Sequence, residues 1–124
     1  MQETNCILDA NAVLRYLLQD VEEQFEQVKS IIQKKKCVVP LEVISEVCYV
    51  LEGLYEVSRP DMVDVLRKLC IDVQIVNEEV FLHALEIFDK TPKLDFVDCL
   101  LYGYKIAIGA DIVTFDQKLK KRLI

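Results

Sequence analysis

The amino-acid sequence predicts an α/β fold in one domain, with a mostly parallel sheet. Short apolar runs alternate along the chain with longer segments in which apolar residues recur at helical spacing. Strands separated by helices pair in parallel through right-handed crossovers. The apolar runs are nearly continuous, which is typical of strands covered on both faces of a sheet. The 124 residues fit one domain, and 52% of them are hydrophobic, so a disordered chain is excluded.

The first half of the sequence predicts two strands and three helices. In chain order these are a strand at residues 6–8, helices at residues 12–18 and 21–35, a strand at residues 37–39 and a helix at residues 41–54. Asp20 and Glu23 have the spacing of a capping box at the start of the second helix. Pro40 closes the second strand, because proline cannot donate a ladder hydrogen bond.

The second half predicts four helices and two more strands. In order these are a helix beginning near Ser58 and Pro60, a strand at residues 73–76, a helix capped by Asn77, a helix at residues 95–108, a strand at residues 111–115 and a helix at residues 118–123. Thr91 and Pro92 end the fifth helix, and Gly109 is a natural C-terminal cap for the sixth.

Composition excludes several kinds of protein. The net charge of −6 argues against a protein that coats nucleic acid non-specifically. It remains compatible with a nucleic-acid enzyme that uses metal ions and a local basic patch.

The five cysteines include no C-x-x-C pair, which is typical of buried thiols in a reducing compartment. His83 is the single histidine and lies in a helical pattern, so a zinc site or histidine-dependent nucleophilic catalysis is disfavoured.

The sequence also predicts a cytoplasmic, soluble protein. No basic stretch followed by an apolar one is visible at the N-terminus, so we expect no signal peptide. The longest apolar stretch, residues 99–113, is interrupted by Lys105 and Asp111. It is therefore too short and too charged to span a bilayer.

Four acidic residues occupy comparable positions near predicted strands: Asp9, Glu46, Asp98 and Asp116. Asp9 and Asp116 each end an apolar run, and parallel strands bring such ends to one edge of a sheet. Taken singly, Asp9 and Asp116 are more simply interpreted as helix N-caps, and Asp98 as a complement to a helix dipole. Only together do they indicate a functional site.

Glu46 is harder to explain as a structural residue. Val47 follows it directly, and Val43, Tyr49 and Val50 lie three or four residues away, so its charge is expected to face an apolar surface unless it is paired. No lysine or arginine occurs in residues 41–57. We therefore expect a cation or a remote arginine to compensate it.

Gathering four carboxylates is costly without a counter-ion. Two carboxylates about 4 Å apart repel by about 4 kcal/mol at an effective dielectric of about 20. A bound Mg²⁺ or Mn²⁺ converts that repulsion into attraction, because hard divalent ions take oxygen ligands. The four acids together thus predict a cation site suited to phosphate chemistry.

Four segments of the sequence resemble the PIN domain, and within it the VapC-like toxins of prokaryotic toxin–antitoxin pairs. They are ILDANAVLRYL at residues 7–17, VPLEVISEV at 39–47, DFVDCLL at 95–101 and IVTFD at 112–116. Each is weak alone, but their order and spacing are fairly specific, and the resemblance covers essentially the whole chain. It implies one PIN-like domain over residues 1–124, a three-layer α/β/α sandwich with a mostly parallel sheet of four to five short strands.

The resemblance also implies a Mg²⁺- or Mn²⁺-dependent ribonuclease, the toxin of a toxin–antitoxin pair. By motif, the catalytic and metal-binding acids are Asp9, Glu46, Asp98 and Asp116, the supporting polar residues are Asn11 and Thr114, and Asp95 is either an accessory acid or a helix cap. We expect Asp9, Glu46 and Asp98 to anchor the ion, and Asp116 to complete the site or orient the attacking water.

Partners follow from the same resemblance. RNA is the expected substrate, and the basic residues that follow or accompany the motifs are weak candidates to bind it: Arg15, Lys118, Lys120 and Lys121. A homodimer and an inhibiting antitoxin protein are typical of such toxins. Many relatives continue into a further strand, whereas this sequence stops at Ile124, so we expect a shorter sheet edge or one covered by a partner.

Other functions fit less well. A receiver-type phosphoacceptor needs an acidic pair after the first strand and a lysine near the last, where Asp116 stands. A haloacid-dehalogenase-like phosphatase needs an aspartate two residues after the first, where Asn11 stands. The main alternative is a non-catalytic PIN-fold module that binds RNA or protein.

Overall fold

The computed structural model describes residues 5–123, the last two of them by backbone alone. These residues form two compact units: the first unit ends at Val76, and the second unit begins at Asn77. The prediction of a single domain over the whole chain stays a prediction, and each unit is described by itself.

The first unit is an α/β structure built on a parallel sheet. Its elements are β1 (Asn5–Ile7), α1 (Ala10–Leu18), α2 (Glu22–Lys34), β2 (Lys36–Val39), α3 (Leu41–Gly53), α4 (Arg59–Asp72) and β3 (Gln74–Ile75). The strand order is β1-β2-β3, and both pairings are parallel. Cys6 aligns with Cys37, and Val38 aligns with Gln74. The α/β class with a parallel sheet is thereby confirmed.

Buried aliphatic side chains hold the first unit together. The stripe of α3 that is buried comprises Leu41, Ile44, Val47, Cys48 and Leu51. These residues recur at intervals of three and four, as a helix with one apolar face requires. Helix α3 packs against α1 and α4, and α1 also packs against α2. The end of β1, and with it Asp9, is thus fixed by a packed core.

The second unit contains three helices, α5 (Glu78–Lys90), α6 (Phe96–Ile108) and α7 (Gln117–Leu123). Helices α5 and α6 pack closely. The Phe96 ring lies edge-on to Phe88, with centroids 5.3 Å apart, and lies 6.3 Å from Phe81. Gly103 permits the close approach, because a Cβ there would lie 2.6 Å from the carbonyl oxygen of Val80. Gly109 ends α6 in the left-handed region, as predicted.

One predicted strand and the strand count are wrong. Residues 111–115 form no strand, and Val113 and Phe115 are 92% and 91% exposed. The described residues therefore contain three strands in place of the four to five expected. An apolar β-branched run becomes a strand only when a neighbouring edge supplies its hydrogen bonds.

Two predicted caps also differ. No side-chain hydrogen bond caps α2, because Asp20 instead pairs with Arg15 at 3.1 Å. Asn77 stands at the N-cap of α5 as predicted, but it adopts φ 59° and its side chain makes no capping bond. As predicted, α4 begins directly after Ser58, which caps it, and α5 ends at its C-cap, Thr91.

None of the helices in the described residues is long and apolar enough to cross a membrane.

Candidate active site

The second unit brings three of the predicted acids into electrostatic contact. Asp95 is the N-cap of α6, and its carboxylate accepts a hydrogen bond of 2.8 Å from the backbone N–H of Asp98. Burial raises the pKa of the Asp98 carboxyl, and the negative charges of Asp95 and then Asp116 raise this pKa further. Asp98 therefore lies partly buried beside two other negative charges, those of Asp95 and Asp116.

Asp116 begins α7. One of its carboxylate oxygens accepts hydrogen bonds from the backbone N–H groups of Lys118, at 2.8 Å, and Leu119, at 3.2 Å. The Thr114 hydroxyl accepts a 3.0 Å hydrogen bond from the backbone N–H of Asp116. Thr114 thus stabilises the turn before α7. It contacts the backbone of Asp116 and not its carboxylate.

Asp9 lies in the first unit, two residues after the end of β1. Its backbone is extended, and its carboxylate accepts a 2.8 Å hydrogen bond from the backbone N–H of Ala12 as the N-cap of α1. Asn11 is exposed in the first turn of this helix. A carboxylate has about four lone-pair sites, so one capping bond leaves Asp9 able to bind a cation.

Glu46, in α3, is exposed. The expectation that its charge faces an apolar surface is wrong, because α3 buries a stripe that excludes Glu46, and Tyr49 is itself 81% exposed. Among the residues that the structure describes, no lysine or arginine pairs with Glu46. The predicted lack of a local counter-charge therefore holds, but solvent removes most of its cost.

Neither unit by itself holds a cluster of metal-ligating side chains among its described residues. Within the residues whose side chains are described, no three His, Cys, Asp or Glu side chains are arranged so that they could hold a metal ion together. Burial, and then the negative charges of Asp95 and Asp116, nevertheless raise the pKa of Asp98. The donor set fits a hard divalent ion by its chemistry, because every donor is a carboxylate with unused lone pairs.

Asp95 had two interpretations, and the structure shows the capping one directly. Its charge also acts on Asp98, so capping does not exclude an accessory electrostatic role. The convergence of all four predicted acids on one ion stays a prediction.

The predicted RNA-binding residues differ in availability. Lys118, Lys120 and Lys121 are exposed, and the Lys120 ammonium lies 5.6 Å from the centre of the Phe115 ring. Arg15 is only 14% exposed; its guanidinium donates to the Tyr55 hydroxyl at 3.1 Å and pairs with Asp20 at 3.1 Å. The hydrogen bond to Tyr55 raises the pKa of Arg15. The guanidinium of Arg15 therefore already makes contacts within the protein.

Sequence reasoning missed a cavity of about 310 Å³ in the first unit, lined by Tyr16, Phe25, Lys29 and Asp72 among others. The Tyr16 and Phe25 rings stack at 5.7 Å, and the Tyr16 hydroxyl donates to Asp72 at 2.8 Å. Burial and this bond raise the pKa of Tyr16 to about 12. The available signal was slight: Phe25 and Lys29 stand four residues apart on one helix.

Comparisons with known proteins match nearly the whole chain. The family model described as the PIN domain matches residues 6–122. The chain is 29% identical over 126 aligned positions to a protein named VapC ribonuclease from Aquifex aeolicus (strain VF5), and this similarity covers 93% of the chain and 90% of the relative. No solved structure matches the chain.

Proposed function

The chain belongs to the PIN domain family, and we propose that it is a ribonuclease that hydrolyses RNA phosphodiester bonds with Mg²⁺ or Mn²⁺. The observation that carries the proposal is the position of the Asp98 carboxyl at the start of α6, capped by Asp95, where burial and then the charges of Asp95 and Asp116 raise its pKa. Neighbouring carboxylates repel one another and so destabilise the folded protein. A bound divalent cation offsets that repulsion. The relative named VapC ribonuclease supports the same activity.

We assign the residues as the motifs suggest. Asp9, Glu46 and Asp98 would hold the ion, and Asp116 would complete the site or orient the attacking water. When bound, the ion supplies charge stabilisation at the scissile phosphate and lowers the pKa of a bound water.

The remaining residues would support these acids. Asn11 adds an exposed amide beside Asp9. Thr114 holds the turn of Asp116 through the backbone. Asp95 holds the first turn of α6 and keeps negative charge beside Asp98.

RNA would be held by the exposed lysines that follow Asp116, namely Lys118, Lys120 and Lys121. Arg15 is the weaker candidate, because Tyr55 and Asp20 already occupy its guanidinium. We further propose that the protein is a cytoplasmic toxin, acts as a homodimer and is inhibited by an antitoxin protein, as the VapC-like resemblance implies.

A second candidate is a PIN-fold module that binds RNA or protein without cleaving it. The observation in its favour is that Asp9, Asp95 and Asp116 all cap helices, which gives each a structural role that needs no ion. The two candidates differ in turnover only.

Incubation with a mixed RNA pool, with and without Mn²⁺, separates them. The ribonuclease proposal predicts Mn²⁺-dependent cleavage by the natural protein and none by Glu46→Gln, a substitution at an exposed side chain. Equal cleavage by both proteins points to a contaminating nuclease. No cleavage by either, with RNA still bound, favours the binding module.

A further inference from the structure

The second unit contains a basic cleft, defined here by Thr91, Lys93, Leu94, Gln117, Lys118 and Lys121. Its volume is about 640 Å³. The turn between α5 and α6 forms one wall, and α7 forms the other. Leu94 and Leu119 are each 1% exposed, so both walls are anchored by buried side chains. None of the described residues that line the cleft is an Asp or a Glu.

The three lysines of the basic cleft lack acidic partners. Among the described residues, no Asp or Glu lies within ion-pair distance of Lys93, Lys118 or Lys121. Other lysines in the molecule do find one: Lys68 pairs with Asp64, Lys90 with Glu86 and Lys105 with Asp111. In a chain of net charge −6, three unpaired ammonium groups at one cleft concentrate positive potential where the rest of the molecule is acidic.

The basic cleft is continuous along the chain with the candidate acids. Lys93 stands two residues before Asp95, and Lys118 stands two residues after Asp116. The same two segments therefore carry both the acids and the ammonium groups. This arrangement suits a polyanion whose charges repeat, because one phosphate can approach the acids through a cation while its neighbour contacts the lysines.

From these observations we infer that the basic cleft binds a backbone phosphate of single-stranded RNA next to the scissile one, with Lys93 and Lys121 as its main contacts. The inference rests on the proposed ribonuclease function and extends it to a residue, Lys93, outside the recognised motifs. Lysine acts as a point charge toward phosphate, so these contacts give affinity without base preference. The Gln117 amide adds a donor to the same wall.

The test is RNA binding in the absence of metal, where no cleavage interferes. The Kd of a labelled, short, mixed-sequence single-stranded RNA is measured by fluorescence anisotropy with EDTA at several salt concentrations. The variant is Lys93→Gln with Lys121→Gln. The matched control is Lys34→Gln with Lys36→Gln, which removes the same charge from exposed lysines of the first unit.

We expect the cleft variant to bind more weakly and to lose about 0.7 from the slope of log Kd against log salt for each phosphate contact removed. The control should retain the slope of the natural protein. Equal affinities and slopes for the two variants would overturn the inference. So would an unchanged RNA Kd accompanied by weaker binding of polyglutamate, which would assign the cleft to an acidic protein.

Cleavage measured separately with Mn²⁺ tests the ribonuclease activity independently of the basic cleft. If the natural protein cuts RNA while the cleft variant binds RNA as tightly as the control, the basic cleft is excluded and the ribonuclease stands. If the cleft variant loses affinity but the natural protein never cuts, the cleft is supported and the ribonuclease fails. If the natural protein does not bind RNA at low salt in EDTA, the basic cleft is excluded, and cleavage with Mn²⁺ alone decides the ribonuclease.

Discussion

The Asp95 carboxylate accepts a hydrogen bond from the backbone N–H of Asp98 at 2.8 Å, and its negative charge also raises the pKa of the Asp98 carboxyl. One residue thus starts α6 and makes the ionised form of its neighbour less favourable. The cap stabilises the helix by about 1 kcal/mol, whereas the electrostatic effect on Asp98 destabilises the metal-free fold at neutral pH. A cation would remove that conflict.

Replacing Asp98 by asparagine should stabilise the metal-free protein at neutral pH. A carboxyl with a raised folded-state pKa contributes stability below its ordinary pKa of 3.8, and that contribution is lost as the pH rises through the folded-state pKa. We therefore expect Asp98→Asn to have the higher Tm in EDTA at neutral pH. The difference should disappear as the pH falls toward the ordinary pKa.

Asp61→Asn is the matched control for this measurement. Asp61 occupies the same position in α4, and its backbone N–H likewise donates to the N-cap, Ser58. The Asp61 carboxylate interacts favourably with the dipole of α4. Asp61→Asn removes this interaction, so it should lower Tm slightly. If Asp98→Asn also lowers Tm, Asp98 stabilises its helix through the helix dipole, as Asp61 does, and the prediction is wrong.

Gly103→Ala should destabilise the second unit by about 1–3 kcal/mol. The added Cβ would lie 2.6 Å from the Val80 carbonyl oxygen and 3.3 Å from the Ala84 backbone nitrogen, so α5 and α6 must separate. Urea unfolding measures the change in free energy. Gly53→Ala is the control, because nothing lies within 4 Å of its Cβ. It should be neutral or stabilising by up to about 1 kcal/mol.

Arg15→Gln should weaken the fold more than it weakens RNA binding. The substitution removes the hydrogen bond to Tyr55 and the ion pair with Asp20, together worth on the order of 1 kcal/mol. Urea unfolding and RNA anisotropy on the same preparation measure both effects. Tyr55→Phe should reproduce part of the stability loss. Unchanged stability with weaker RNA binding would instead make Arg15 an RNA contact.

Most of the fold could be predicted because apolar periodicity reports burial. The helices and the first two strands lie within a few residues of their predicted bounds. Residues 111–115 were predicted wrongly because their apolar pattern is compatible with a strand, whereas pairing depends on a partner edge that sequence does not reveal. The capping box failed for a similar reason, since Arg15 competes for Asp20.

The candidate site was only partly predictable. The capping roles of Asp9 and Asp116 follow from local spacing and are confirmed. The burial expected of Glu46 was wrong because the residues at helical spacing from it, Val43, Tyr49 and Val50, are not part of the buried stripe of α3. Lys93 gave no local signal, because its significance arises from a cleft assembled by two separate segments.

We propose that one divalent cation is bound by four acids, Asp9, Glu46, Asp98 and Asp116. The most direct test is the Tm of the natural protein, Asp9→Asn, Asp98→Asn and the double variant, each with and without Mn²⁺. A ligand that binds only the folded state raises Tm. One shared site predicts that Mn²⁺ raises the Tm of the natural protein, that either substitution removes most of this gain, and that the double variant loses little more. No gain in the natural protein, or a gain that survives both substitutions, would contradict the claim.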